Sequence, residues 1–311
     1  MINNNDMKKI IYLIVTLVTF SNAFAQQDAM ISQYMFNGLF LNPAYAGTHK
    51  YTSTTLLHRV QWTAFEGAPT TSIATVDGTI LKEKVGWGLM IANDRIGVTS
   101  QTDIFANYNY QIKLGKGKLS MGLKLGASQY YANLGKLTVW DKDDYVFAEN
   151  RSSAFLPKAG CGVYYYAEKY YAGLSVPTLW AYDNTRNFSF NIEKGSNLRR
   201  HYFLTGGYVF TISDKVKLKP STLIKYQPAA PLQVDLNLNV LFMDKFWIGT
   251  SFRTEDAMVI ITEYQINKQL RIGYAFDYTY SGLRTYAGTT HEFMVGYDFG
   301  KFIKVKTPRY F

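Results

Sequence analysis

The side chains through which this 311-residue chain could do chemistry are four histidines, one cysteine and 23 acidic residues. His49, His58, His201 and His291 are dispersed along the sequence, with no HExxH, no GxSxG and no cysteine cluster among them. No catalytic, metal or cofactor residues are therefore expected, although a site assembled from distant strands would leave no motif. The run Trp140-Asp141-Lys142-Asp143-Asp144 is rich in oxygen ligands but lacks EF-hand spacing, and reads as a solvated surface loop. Cys161 has no partner for an internal disulfide and is read as a small residue packed within a strand. What remains are charges that fall on one face of alternating segments: Lys124, Lys225, Asp235, Glu263, Arg271 and Asp277. Such charges could line a solute path, bind a plug, or bind one another.

The elements that must position these charges show a two-residue rhythm from Tyr51 almost to the end. Leu232, Val234, Leu236, Leu238, Val240 and Phe242 alternate with Gln233, Asp235, Asn237 and Asn239. Ile104, Ala106, Tyr108, Tyr110, Ile112 and Leu114 do the same against Asp103, Asn107, Asn109, Gln111 and Lys113. Strands with one apolar and one polar face suit a transmembrane antiparallel β-barrel, lipid outside and water inside. The expected strands are 52–62, 70–80, 85–93, 101–114, 118–131, 159–167 and 170–177, then 201–211, 216–227, 232–242, 246–253, 257–265, 270–278 and 290–299. That gives an all-β barrel of about fourteen strands. Every second connection is short and carries lysine (Lys82 with Lys84, Lys116, Lys169, Lys215, Lys245, Lys268), as periplasmic turns would. The longest connections, 132–158 and 178–200, would face outward, and both barrel ends would meet at the periplasmic rim. Pro220 cannot donate a ladder hydrogen bond, so a bulge or a shifted boundary is expected there.

Lys8 and Lys9, an apolar run from Ile10 to Phe20 and Ala23-Phe24-Ala25 form a secretory signal, with cleavage expected after Ala25. No later stretch is apolar for long enough to make a membrane helix. The 25 tyrosines fit the aromatic girdles of an outer-membrane barrel better than a soluble sandwich. The formal charge is +10, falling to +9 once Lys8, Lys9 and Asp6 leave with the signal (31 basic minus 22 acidic). Lysines in the periplasmic turns, with Lys301, Lys304 and Lys306, polarise that charge. It would attract lipid head groups of the outer membrane or, alternatively, an acidic periplasmic partner. No nucleic-acid motif is present, and no nucleic-acid partner is expected.

Two regions do not fit a bare barrel. The stretch Gln33-Tyr34-Met35-Phe36-Asn37 through Asn42-Pro43-Ala44-Tyr45-Ala46-Gly47 is too apolar for a free tail and must bury itself in the lumen or against a partner. The chain also continues past its last strand to Pro308-Arg309-Tyr310-Phe311. The sequence divides accordingly into a signal peptide (1–25), an N-terminal segment that could plug the barrel (26–50), the barrel (51–300) and a periplasmic tail (301–311).

These two regions, with VQWTAFEGAP (60–69), GLKLGASQYYANL (122–134), RHYFLTGGYVF (200–210) and QINKQLRIGYAFDYT (265–279), carry a resemblance. The chain resembles the PorP/SprF family of outer-membrane proteins of the type IX secretion system over essentially its whole mature length. A polar residue or proline often stands in the family where Gly38 stands here. The resemblance implies a non-enzymatic outer-membrane barrel that assists secretion or surface attachment of an exported adhesin, in systems linked to gliding motility, or that contacts the secretion machinery. It also implies partner-binding or plug roles for the two terminal regions. A weaker similarity links Asn42-Pro43-Ala44 to the hatch of fatty-acid-transporter barrels, and a transporter or channel for small or hydrophobic solutes is the alternative reading.

Overall fold

The computed structural model describes residues 30–49, 51–81, 83–137, 151–152, 155–181, 200–228, 230–282 and 284–300. The signal sequence, the acidic run 140–144 and the tail 301–311, with Pro308, Arg309, Tyr310 and Phe311, lie outside the described residues. The strands are β1 (Thr52–Val60), β2 (Thr70–Ile80), β3 (Val85–Ile96), β4 (Thr99–Leu114), β5 (Gly117–Ala132), β6 (Leu156–Tyr166) and β7 (Tyr170–Ala181). They continue as β8 (Tyr202–Tyr208 and Phe210–Ser213), β9 (Val216–Tyr226), β10 (Gln233–Phe242), β11 (Phe246–Arg253), β12 (Ala257–Gln265), β13 (Leu270–Thr279) and β14 (Thr290–Phe299). Each pairs antiparallel with its sequence neighbour, and β14 pairs with β1 from Thr52↔Phe299 to Val60↔His291, which closes the sheet. The sheet has sixteen strand segments; counting split β8 once and setting aside the two-residue Arg151–Ser152 leaves fourteen staves.

Closure follows from the environment the alternation predicts. A sheet edge in hydrocarbon would leave a row of backbone donors and acceptors unpaired, so a spanning sheet has to meet itself. The alternation falls as expected. Leu236 and Leu238 are 56% and 46% exposed, whereas Asn237 and Asn239 between and beside them are 5% and 1% exposed. Tyrosines ring both rims. Tyr165, Tyr170 and Tyr208 stack along one, with Tyr264 and Tyr297 further round, and Tyr226, Tyr278 and Tyr280 face outward at the other.

The prolines mark where strand boundaries depart from expectation. Pro220 lies inside β9, opposite Leu238 of β10, with the register unbroken on that side. The interruption appears on the other side, where β8 loses its strand geometry at Val209, while the pairings above and below it (Gly207↔Ser221, Phe210↔Leu218) keep one register. A missing N–H on one flank accounts for a gap without a shift. Pro177 does not end β7 as expected. The β6–β7 register shifts between Ala159 and Cys161, and β7 resumes through Leu179 to Ala181, so the proline is absorbed in a bulge. Strand β6 likewise starts at Leu156 rather than 159.

Connections 81–84, 115–116, 167–169, 214–215, 243–245 and 266–269 are short and share the rim at which β1 begins and β14 ends, which makes that rim periplasmic. The strand ends joined by connections 61–69, 133–155, 182–201, 227–232 and 280–289 lie at the outer rim. There 97–98 and 254–256 are as short as any inner turn, so loop length alternates less strictly than expected.

Leu238 sits midway along the lipid face of β10. Replacing it with arginine should lower unfolding stability by about 2–4 kcal/mol, read as the shift in the urea midpoint of the barrel in liposomes.

Candidate functional site

The lumen of this barrel is where its buried chemistry is concentrated, and residues 30–49 of the chain lie in it. The segment has no long element of its own. Two single 3-10 turns, Tyr34–Phe36 and Pro43–Tyr45, reverse it, and between them Leu41 and Asn42 donate backbone N–H groups to Gly38 at 3.2 and 3.0 Å. The second turn starts as its sequence dictates. Asn42 caps it by accepting the Ala44 N–H on Oδ1 at 2.9 Å, and Pro43 occupies a first-turn position that needs no donor.

At its outer end the segment is held by charge. Glu292 of β14 accepts the backbone N–H groups of Ser32 and Gln33, each at 2.8 Å, and Asp277 of β13 accepts the Ser32 hydroxyl at 2.8 Å. Arg59 of β1 joins both carboxylates, reaching Asp277 at 2.7 Å and Glu292 at 3.1 Å, and donates to the Ser32 Oγ at 2.9 Å. Arg253 extends the network to Asp235 and Asp256, each at 3.2 Å. Further towards the periplasm, Arg271 bonds Asp298 at 3.1 Å and approaches Glu263 at 3.8 Å. Three arginines thus face five buried or half-buried carboxylates here, plus Asp256 at the mouth. Paired this way, charges that would be prohibitively costly alone can stay in the interior.

The middle of the segment is held by apolar contact. Ile31, Tyr34, Met35 and Leu41 form one buried cluster with the inward-facing Leu57, Ile73, Met90, Phe105, Phe203, Leu223, Val259 and Ile261. Burying each such side chain contributes roughly 1.5–3 kcal/mol. The Phe36 ring lies 6.1 Å from that of Trp247. The Tyr34 hydroxyl accepts from Asn237 at 2.8 Å. Thr75 donates to Asn37 Oδ1 at 3.3 Å.

Towards the periplasm the contacts become neutral and polar. Asn42 Nδ2 donates to the Val163 carbonyl at 3.0 Å, and the Ser175 hydroxyl to the Leu41 carbonyl at 2.7 Å. Asn109 and Gln111 donate to the Ala46 and Gly47 carbonyls at 2.5 and 3.1 Å, and the Gly47 N–H bonds Asp77 at 2.8 Å. Tyr45 packs edge-on against Tyr164, centroids 5.7 Å apart, in a cluster completed by Tyr166 and Tyr171. The segment fits because the staves are notched with glycine. A Cβ added at Gly86 would strike the Ala46 carbonyl, one at Gly122 the backbone of Ala44, and one at Gly162 the Asn42 side chain.

All the expected site residues from Gln33 to Gly47 therefore sit inside the barrel; Pro308 to Phe311 lie outside the described residues. Of the charges singled out from sequence, Asp277 holds the segment through Ser32, Asp235 pairs with Arg253, Arg271 approaches Glu263, Lys124 lies over the Phe105 ring at 4.0 Å, and Lys225 lines the outer mouth. Sequence reasoning missed Arg59, Arg253 and Glu292, the inward apolar belt and the glycine notches. Unbroken apolar runs such as Leu56-Leu57 and Val259-Ile260-Ile261, where alternation should have placed a polar residue, were the available signal. The segment's direction was also not foreseen. Gly47 lies at the periplasmic end, but Met30 lines a cavity of about 760 Å³ at the outer mouth, beside Arg59, Trp62, Lys225 and Arg253. The four histidines are not brought together, and among the described residues no three His, Cys, Asp or Glu side chains cluster as a metal site.

A family model described as type IX secretion system membrane protein PorP/SprF matches residues 23–297. No curated protein matches the chain. Among solved structures, the Acinetobacter baumannii outer membrane protein Omp33 is similar at 9% identity over 81% of this chain and 100% of that one, TM-score 0.47. The Ralstonia pickettii toluene transporter TbuX matches at 9% over 84% and 92%, TM-score 0.48, and a Pseudomonas aeruginosa FadL homologue at 9% over 90% and 96%, TM-score 0.46.

Two substitutions probe how the segment is held. Arg59→Met strips Asp277 and Glu292 of their shared counter-charge and should destabilise the outer anchor by about 3–5 kcal/mol, read as faster hydrogen exchange at Ser32 and Gln33 with barrel strands unchanged. Gly122→Val should displace the Asn42–Tyr45 turn and give steady conductance in planar bilayers where the parent protein is silent.

Proposed function

This chain belongs to the PorP/SprF family of type IX secretion system membrane proteins, an outer-membrane β-barrel component of that system, and we propose that it works as a plugged scaffold rather than as a pore. In this reading the barrel assists the secretion or cell-surface attachment of an exported partner, an adhesin, held at the outer rim. The periplasmic rim and the tail contact the secretion machinery. The observation that carries the reading is the occupied lumen. A chain segment held by a buried ion-pair network, an apolar cluster and neutral hydrogen bonds in series runs through the lumen from the outer mouth to the periplasmic end.

Charge supports the division of labour. At the periplasmic rim the exposed or half-exposed cations Lys84, Lys116, Lys118, Lys169, Lys215, Lys245 and Lys268 outnumber Glu83, Glu168, Asp214 and Asp244. An acidic periplasmic partner would be drawn to that rim, as would anionic lipid head groups. The outer rim is differently built. Connection 61–69 is tied to its neighbours by Thr63 N–H to the Thr289 carbonyl at 3.0 Å and Gly97 N–H to the Gly67 carbonyl at 2.8 Å, and it leaves Phe65 exposed. A fixed loop presenting an aromatic ring is suited to protein contact. Nothing in this role requires an enzyme, a cofactor or a metal. Cleavage of the signal after Ala25 completes the export route.

A pull-down of the tagged protein from its native outer membrane in gentle detergent, followed by mass spectrometry, tests the proposal. Recovery of one large exported adhesin, or of periplasmic machinery, supports the scaffold reading; recovery of neither, with solute flux through the pure protein, overturns it in favour of a transporter. Deleting Pro308 to Phe311 should impair partner display while leaving the heat-modifiable mobility of the folded barrel intact.

A further inference from the structure

The membrane-facing wall is not uniform. On most staves the outward positions carry large apolar or aromatic side chains, but on β2 they are Ser72, Ala74 and then Val76. The flanking outward positions are large: Leu56 and His58 on β1, Ile91 and Asn93 on β3. Small residues between two higher walls leave a groove of about 390 Å³, open to the bilayer and almost wholly apolar in its lining, with Phe293 and Val295 behind Leu56 and His58.

The upper end of the groove is polar. His58 and Ser72 are cross-strand partners, and their Nδ1 and Oγ lie 2.9 Å apart on the lipid side of the barrel. The same level continues through Asn93, whose Nδ2 donates to Thr102 Oγ1 at 2.9 Å. On the opposite arc of the barrel, the outer end of the lipid face of β9 carries the exposed Tyr226 instead. One further outward position up β3 stands Arg95, exposed and without an ion pair among the described residues. It is two strands from β1, hence about 10 Å across the sheet from the His58 column. The groove opens towards the outer rim, so it lies in the outer leaflet.

We propose that this groove binds a phosphate-bearing, multiply acylated glycolipid of the outer leaflet, of the lipid A type. One acyl chain lies over Ala74 between Leu56 and Ile91, and the head group meets His58, Ser72 and Arg95. A simple apolar wall would present large side chains at Ser72 and Ala74 and no polar pair above them. An acyl chain fills the trough, and a head group carrying both hydroxyls and phosphate offers partners at once to the His58–Ser72 pair and to the Arg95 guanidinium, across three neighbouring staves. The site rests on the outer-membrane placement of the barrel but is independent of what the lumen or the loops do.

Native mass spectrometry of the full barrel, stripped of lipid in detergent and titrated with diphosphoryl lipid A, tests the site, with phosphatidylglycerol as the competing anionic lipid. Density fractionation of the source membranes is read in parallel, so a misplaced barrel is distinguished from an empty groove. The parent protein is expected to take up one lipid A that phosphatidylglycerol displaces poorly. Ala74→Phe, which fills the trough from outside, should weaken uptake roughly tenfold, and Arg95→Glu should weaken it about as much. Leu238→Phe, on the far lipid face, should change nothing. Heat-modifiable mobility reports folding for each variant, and Arg95→Glu carries the test should Ala74→Phe misfold. Equal uptake by parent and variants, equal displacement by phosphatidylglycerol, or no stoichiometric uptake overturns the proposal.

Discussion

A sheet immersed in lipid has no water with which to satisfy an open edge, and every other feature of this molecule follows from having to close. Fourteen staves enclose a space too wide for inward side chains alone to fill. Water or protein must occupy it. In this chain the filling is its own residues 30–49, and the inward faces of the strands have been shaped to receive them. Where the segment is apolar the wall is apolar; where the segment turns back on itself the wall is glycine; where the segment exposes backbone N–H groups the wall offers carboxylates.

The three modes of contact are unequal in kind. Apolar burial around Ile31, Tyr34, Met35 and Leu41 supplies non-directional stabilisation and tolerates small displacements. The Arg59–Asp277–Glu292 network supplies little net energy once desolvation is counted, yet it is directional: two carboxylate oxygens are aimed at two successive backbone N–H groups, which fixes the register of the segment along the barrel axis. The neutral amides of Asn109 and Gln111 fix the other end. A segment pinned at both ends and packed between behaves as part of the core rather than as a tethered lid.

The barrel was legible in the sequence because its signal is local. Leu232 to Phe242 alternate whatever the rest of the chain does, and β2, β11, β12 and β14 begin and end where turn residues and apolar periodicity place them. The boundaries that moved did so for a non-local reason: Pro177 is tolerated because a bulge opposite Gly160 lets β7 resume, and a bulge is a property of two strands. The buried segment was half legible. Its apolar content demanded a partner surface, but which strands supply that surface depends on contacts more than 200 residues apart, such as Ser32 with Asp277 and Glu292.

The inward apolar belt shows why binary patterning alone underdetermines such a molecule. Alternation assigns a residue to a face, and lipid defines the outer face as apolar, but it says nothing of what the inner face meets. Leu57, Ile73, Val259 and Ile261 would be out of place in an aqueous channel, and Arg59, Asp277 and Glu292 would be indifferent there. Only when both are taken together do they describe a lumen built around protein. An inward apolar residue in a barrel strand is thus informative in the way a buried charge is in a soluble core: each is costly in the default environment, so each identifies what replaces it. Here the replacement is the twenty-residue stretch 30–49, and the barrel's inner surface is best understood as that stretch's complement.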